Sequence, residues 1–293
     1  MEEEEQQAVY GIIGKPVSHS LSPVMHNAAF KALDVNAVYK LFPLEKNEIA
    51  DFFSALREPD SPIFGLNVTV PYKEDVVEHI DVLTPLAEKL GAVNTIVINH
   101  DRKLIGYNTD APGFIAQLKE MGVSTAGKRI AILGSGGSCR AILGTLCMIP
   151  ERPELITIYN RTESRLTTLL KDLGQRIDLS NVEPVRAVDD LNIELADILI
   201  NTTSIGLKEE DPILVDEEML HSSLVVYDLI YRPKETMLLK MARERGAQTA
   251  NGLNMLYFQG VLSLQHWANI ELSDEIKSKM RKALEKELSN DRK

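Results

Sequence analysis

The chain has 293 residues and carries 43 Asp and Glu against 32 Lys and Arg, a formal net charge of −11. At roughly 150 residues per domain this length suits about two domains, and 44% hydrophobic with 26% charged residues excludes a disordered chain, a collagen-like repeat and a disulfide scaffold. The sequence lacks a cluster of five basic residues, which argues against nucleic acid, and lacks an apolar run near the roughly 18 residues that cross a membrane.

The start, Met1-Glu2-Glu3-Glu4-Glu5, is acidic, unlike a secretory signal, and reads as disordered. Val9 to Gly14 reads as a buried strand ending in a glycine turn. A helix beginning near Pro23 places Ala29, Phe30 and Leu33 on one face. A strand over Ala37–Leu41 and a helix over Asn47–Arg57 follow. Gly65–Val70 is a third strand, stopped by Pro71. A helical stretch then runs through Leu90, a strand spans Ala92–Ile98, and Asn99-His100-Asp101 is a polar turn. The alternation of strand and helix is that of an α/β domain.

It restarts near residue 113. A helix over Gly113–Met121 precedes a buried strand, Arg129–Leu133, then Gly134-Ser135-Gly136-Gly137, then a helix over Ser138–Met148. Further strands are expected at Leu155–Tyr159, Ala196–Asn201 and Leu224–Tyr227. Asp274–Leu288 is an amphipathic helix with Ile276, Met280, Leu284 and Leu288 four apart. Cys139 and Cys147, eight apart in one apolar segment, read as two reduced, buried thiols of a cytosolic protein.

A glycine loop between a strand and a helix is the setting of a dinucleotide site, because glycines let the backbone approach a pyrophosphate and the helix N-terminus offers N–H groups. The third glycine of that pattern would fall at Cys139. The next strand ends at Asn160-Arg161-Thr162, with Arg165 close behind. An NAD site places an acid there. Two arginines instead suit the extra phosphate of NADP, since the guanidinium fork donates paired charged hydrogen bonds.

Four segments of the first half carry polar residues among apolar ones: Gly14 to Asn27, Asn67 to Lys73, Gly91 to Thr95, and Gly106 to Asp110. Each has a bland reading. Ser20 and Ser22 suit helix caps, Lys73 a solvated lysine, Asn94 a turn and Asp110 a helix N-cap. His19 and His26, seven apart, could share a helix face, but neither a carboxylate nor a cysteine completes a metal site with them, so no metal is expected.

Taken together these segments resemble the shikimate dehydrogenase family, enzymes that reduce 3-dehydroshikimate to shikimate with NADPH. The resemblance runs from about Tyr10 to Trp267, and it rests on Ser-His-Ser-Leu-Ser-Pro at 18–23, Asn-Val-Thr-Val-Pro-Tyr-Lys at 67–73, Gly-Ala-Val-Asn-Thr at 91–95 and Gly-Tyr-Asn-Thr-Asp at 106–110. The glycine loop, Asn-Arg-Thr at 160–162, Asn-Thr-Thr-Ser at 201–204, Tyr-Asp-Leu-Ile-Tyr at 227–231 and Gln259 complete it.

The resemblance implies two α/β domains: a discontinuous substrate domain, 1–112 plus 251–293, and a Rossmann-type NADP-binding domain, 113–250, with the active site in the cleft between them and the C-terminal helices returned to the first. It implies Lys73 and Asp110 as the catalytic pair. Ser20 and Ser22 would bind the substrate carboxylate, with Tyr231 near it. Thr69, Asn94, Asp110 and Gln259 would hold the ring hydroxyls. Gly134, Ser135, Gly136, Gly137, Ser138, Asn160, Arg161, Thr162, Arg165, Thr203, Leu229 and Gly252 would contact NADP. Ser135, Cys139 and Asn254 depart from the residues common in the family. A quinate/shikimate dehydrogenase with relaxed NAD and NADP use, a ligand-sensing homologue without catalysis, and a folate dehydrogenase sharing only the nucleotide domain are the rivals. The sequence leaves oligomeric state open, a homodimer included.

Overall fold

The structure is a computed structural model that describes residues 6–290. The acidic start at 2–5 lies outside the described residues. The chain forms two compact units, one of the residues up to Gly113 together with those from Leu256 onward, the other Phe114–Met255.

The elements up to the first division are β1 (Ala8–Gly14), α1 (Ser22–Ala32), β2 (Ala37–Pro43), α2 (Ile49–Ala55), β3 (Ile63–Val68), β4 (Val82–Leu83), α3 (Pro85–Leu90), β5 (Thr95–Ile98) and β6 (Leu104–Tyr107). Then come α4 (Asp110–Glu120), β7 (Arg129–Leu133), α5 (Gly137–Met148), β8 (Leu155–Tyr159), α6 (Glu163–Gly174), β9 (Val182–Val185), β10 (Ile198–Asn201), β11 (Val225–Asp228), α7 (Met237–Glu244) and β12 (Gln248–Asn251). Two long helices follow, α8 (Leu253–Ala268) and α9 (Asp274–Asn290).

In the first unit the sheet order is β2-β1-β3-β5-β6-β4. β1 runs parallel to β2 and β3, whereas β5 is antiparallel to both of its neighbours. Ile13, Leu66, Val68, Val93, Ile96 and Leu104 are buried in one core on this sheet. Helix α9 packs against α1, and its Ile276, Met280, Leu284 and Leu288 are all buried. The four-residue spacing legible in the sequence thus becomes the seam that joins the chain's last helix to its first.

In the second unit all pairings are parallel. The order β12-β11-β10-β7-β8-β9, numbered within the unit, is 3-2-1-4-5-6 read from β9. That is the dinucleotide-binding arrangement, whose order reverses between the first and fourth strands, here β7 and β10.

Several expected bounds shift, for local reasons. The third strand stops at Val68, since Tyr72 N–H closes a turn on Thr69 C=O and Val70 C=O accepts from Lys15. The strand expected from Ala92 begins at Thr95, because Val93 N–H is drawn to Lys73 C=O. The turn at Asn99–Asp101 joins a hairpin, and its second strand, β6, is not marked in the sequence because its Leu-Ile-Gly-Tyr carries a glycine, which reads as a turn. β9 was missed because it reads Val-Glu-Pro-Val; its proline is tolerable only at a sheet edge, where β9 lies. The short β4 and polar β12, also edge strands, were missed likewise.

Candidate functional site

Two constellations emerge, one in each unit. In the first, the turn after β3 delivers Lys73. Its backbone is held because Tyr72 donates its hydroxyl to Leu44 C=O at 2.7 Å and Lys73 C=O accepts from Val93 at 2.8 Å. Lys73 is therefore not the solvated lysine of the bland reading. Its side chain is 8% exposed, and its Nζ lies 2.6 Å from Asp110 Oδ2. A buried charge pair of this kind persists only with further hydrogen bonds on its remaining atoms. Asn94 supplies one, donating from Nδ2 to Asp110 Oδ1 at 3.0 Å.

Asn94 does not close a turn. It sits just before β5, with its backbone N–H on Tyr107 C=O and its C=O taking Val68 N–H. Thr109 N–H donates to its Oδ1 at 2.6 Å, which fixes the amide with Nδ2 toward Asp110 and, at 3.4 Å, toward Gln259 Oε1. Asp110 heads α4 but does not cap it through its carboxylate. Asn108 accepts from Ala111 N–H at 3.1 Å instead. Gln259 reaches the cluster from α8, with its Nε2 on Leu256 C=O. Lys73, Asn94, Asp110 and Gln259 thus converge within one unit although 186 positions separate the first from the last.

Neither Ser20 nor Ser22 occupies the N-cap position of α1, although Ser20 takes the helix's first N–H. The N-cap of α1 is Leu21, without a side-chain bond, and Ser20 Oγ accepts from Ser22 N–H at 3.2 Å. Ser22 is buried, Ser20 half-buried. Thr69, half-buried, lies in the turn after β3. Tyr231 is half-buried in the second unit, beyond β11.

Polar residues that the sequence did not single out as site members join the cluster from below. Asn67, on β3, places Nδ2 2.9–3.1 Å from Asn94 C=O, Thr95 Oγ1 and Ser263 Oγ, two of which its two protons serve at a time, and accepts from the Tyr39 hydroxyl at 2.8 Å. Thr95 and Thr109 lie 3.0 Å apart. The available signal was polar residues inside otherwise apolar strands. His26 is wholly buried beside this network, stacked on Tyr39 with centroids 4.6 Å apart. Both of its ring nitrogens lack a partner, and burial pushes its pKa down to about 3.

In the second unit β7 runs into Gly134, whose φ of +109° and closeness to Thr202 and Thr203 leave no room for a side chain. Gly136 is the N-cap of α5, without a side-chain bond, and has open space where a Cβ would point. These features fit a loop that must admit a phosphate close to its backbone. Asn160, Arg161, Thr162 and Arg165 follow β8, and both arginines are exposed. Asn160 donates to Thr162 C=O at 2.9 Å, shaping this turn.

At the ends of β10 and β11, Asp228 is fully buried and accepts from Asn201 Nδ2, Ile230 N–H and Thr236 Oγ1 at 2.7–3.1 Å. Burial raises its pKa to about 6 despite those donors. Asn201 in turn accepts from the Thr203 hydroxyl at 2.7 Å. Leu229 follows directly, and Gly252 approaches its carbonyl so closely that a Cβ would overlap it. Thr203, Leu229 and Gly252 are therefore carried on braced loops. Cys139 and Cys147 are unbridged and buried; burial lifts their thiol pKa values to about 12 and about 11, so neither is a nucleophile at neutral pH.

Residues 12–96 match the family model described as the shikimate dehydrogenase substrate binding domain. A protein of Carboxydothermus hydrogenoformans named shikimate dehydrogenase (NADP(+)) is 42% identical over 265 residues, which cover 89% of this chain and 91% of that one. The crystal structure of shikimate dehydrogenase from Aquifex aeolicus superposes with a TM-score of 0.84 at 35% identity, covering 94% of this chain and 98% of that one. The enzyme of Thermus thermophilus, solved in complex with NADP(H) and shikimate, gives a TM-score of 0.79 at 30% identity and covers 95% and 99% of the two chains.

Proposed function

The chain belongs to the shikimate dehydrogenase family, and we propose that it catalyses the reversible NADPH-dependent reduction of 3-dehydroshikimate to shikimate, the alcohol-forming step of the shikimate pathway toward chorismate and the aromatic amino acids. The observation that carries this reading is the buried Lys73–Asp110 pair, 2.6 Å apart and braced by Asn94, with Gln259 beside it. An enzyme that moves a hydride to a ketone needs a proton donor held beside the carbonyl oxygen, and a buried lysine fixed by an aspartate is suited to that task.

NADPH supplies the hydride to the ketone carbon. Lys73 gives the proton that completes the new hydroxyl and, by its charge, draws electron density onto the oxygen before transfer. Asp110 orients the ammonium and holds a neighbouring ring hydroxyl. Asn94, Thr69 and Gln259 hold the remaining hydroxyls, so that the reacting carbon is presented in one pose. Ser20 and Ser22 donate to the carboxylate, with Tyr231 as a further donor. In the oxidative direction Lys73 takes the proton back.

On the cofactor side, the backbone of Gly134 to Ser138 surrounds the pyrophosphate at the start of α5. Asn160, Arg161, Thr162 and Arg165 hold the adenosine end, the arginines clamping the 2′-phosphate. Thr203, Leu229 and Gly252 would make further contacts to the cofactor. The reaction belongs in the cytoplasm, where unbridged cysteines stay reduced. The partners are these small molecules. Among the described residues no helix is long and apolar enough to cross a membrane.

The test is a steady-state assay of the purified protein with shikimate and quinate against NADP and NAD. Turnover of shikimate with NADP, and at least tenfold lower kcat/KM for each alternative, is expected. Comparable rates with quinate or NAD would move the assignment to the relaxed-specificity enzymes, and no turnover with any pair would leave a ligand-sensing protein.

A further inference from the structure

Building on that reaction, we propose that Ser263 is a positioning residue for the substrate-binding polar groups, tying helix α8 to Asn94, Thr109 and Gln259. Ser263 is fully buried, between the buried apolar residues Val261 and Leu264. Alanine would suit that setting better on helix propensity and burial, so the hydroxyl calls for a reason.

Its surroundings supply one. Ser263 Oγ lies 2.9 Å from Gln259 C=O one turn back, 2.8 Å from Thr95 Oγ1, 3.2 Å from Thr109 Oγ1 and 2.9 Å from Asn67 Nδ2. A hydroxyl has one proton and two lone pairs, so at most three of these four contacts are hydrogen bonds at once. The Asn67 amide can only donate, and Gln259 C=O can only accept. With those two assigned, the second lone pair takes a proton from Thr109 or Thr95.

With the Thr109 proton on Ser263, directly or through Thr95, the Thr109 oxygen is held where it accepts from Asn94 Nδ2 at 2.9 Å. The other Nδ2 proton then serves Asp110 Oδ1. Ser263 therefore anchors the Thr95 and Thr109 hydroxyls on which the Asn94 amide, oriented by Thr109 N–H, is seated. It also pins the α8 turn that carries Gln259. With alanine at 263, the Thr109 proton has an alternative acceptor in Asn94 Oδ1 at 3.1 Å, an atom already engaged by Thr109 N–H. The Asn67 amide would turn both protons to Asn94 C=O and Thr95 Oγ1, and Gln259 C=O would lose the hydroxyl that holds it.

The experiment compares wild type, Ser263→Ala, Asn94→Ala and the double variant for kcat, shikimate KM, NADP KM and thermal midpoint. For Ser263→Ala the expected result is a rise of about three- to tenfold in shikimate KM, from one lost buried hydrogen bond, with NADP KM unchanged. Because Ser263 and Asn94 belong to one hydrogen-bond network, the double variant should lose clearly less kcat/KM than the product of the two single losses. Unchanged shikimate KM, an equal rise for both substrates that follows a lowered midpoint, or fully additive losses would each overturn the positioning role. A wild type inert toward shikimate would instead overturn the reaction assigned above, so the two failures are told apart by the wild-type lane.

Discussion

Replacing Lys73 by Met separates chemistry from folding, because the structure assigns a size to each. Met keeps much of the apolar stem and removes the ammonium. Asp110, 6% exposed, then retains the Asn94 amide but loses a charge partner at 2.6 Å. Breaking one side of a buried ion pair costs about 3–5 kcal/mol, a fall of roughly 6–20 °C in thermal midpoint for a chain unit of this size. The chemical loss is separate: general acid help is worth about 10²–10⁴-fold in kcat, with little change in shikimate KM because the ring is held by other groups. The assay is steady-state kinetics well below the variant's midpoint, beside thermal melts. Lys73→Met/Asp110→Asn supplies the control. It removes the stranded charge while an amide oxygen can still accept from Asn94, so it should recover most of the midpoint and none of the rate. The reasoning is refuted if Lys73→Met keeps more than about a tenth of wild-type kcat, or if the double variant regains rate along with stability.

Arg161→Ala should raise the KM for NADP about tenfold, the lower end for a charged hydrogen bond because the side chain is exposed, and leave that for NAD within twofold; kinetics with both cofactors decide it. His26 is neutral in the fold, with a pKa near 3, against about 6.5 unfolded. Unfolding therefore takes up a proton below pH 6.5, and stability should fall by a few kcal/mol as pH drops from 6.5 toward 3. His26→Phe, which keeps a ring without the titration, should flatten that dependence in denaturant melts run from pH 7 to 4. Gly252→Ala should force the Leu229 backbone aside, costing about 1–3 kcal/mol and weakening NADP binding measured by titration; an unchanged affinity would mean that this close approach serves only packing.

What the sequence displayed was governed by local chemistry. Leu155–Tyr159 is recovered to the residue because a buried parallel strand is a continuous apolar run between turns. The last helix is recovered because one apolar stripe of period near 3.6 marks the face it buries. The cluster around Lys73 resists that kind of reading. Asn67 lies in a segment whose resemblance is visible, yet that it points inward among three acceptors depends on β3 lying beside β5. Ser263 carries no local signal, since a serine within an apolar helix looks like any small residue until Thr95 and Thr109 arrive from two other elements. The sequence shows His26 only as one of two histidines seven apart, whereas the aromatic rings around it come from α1, β2 and α8.

The seam between α1 and α9 also bears on the order in which the molecule can be made. Synthesis is vectorial, and domains usually fold from the N-terminus as they emerge. Here the earlier unit has to wait. Strands β1 to β6 can pair early, but α1 packs against α9 in the finished fold, and α9 is still unmade when α1 appears. Phe114–Met255 is contiguous and can close its sheet before α8 is complete. The second unit is thus the first able to finish, leaving the nascent first unit with an open apolar face for the time it takes to translate the last few dozen residues. That interval is when a ribosome-bound chaperone would have most to cover, and a chain cut short before α9 would keep the same face open permanently.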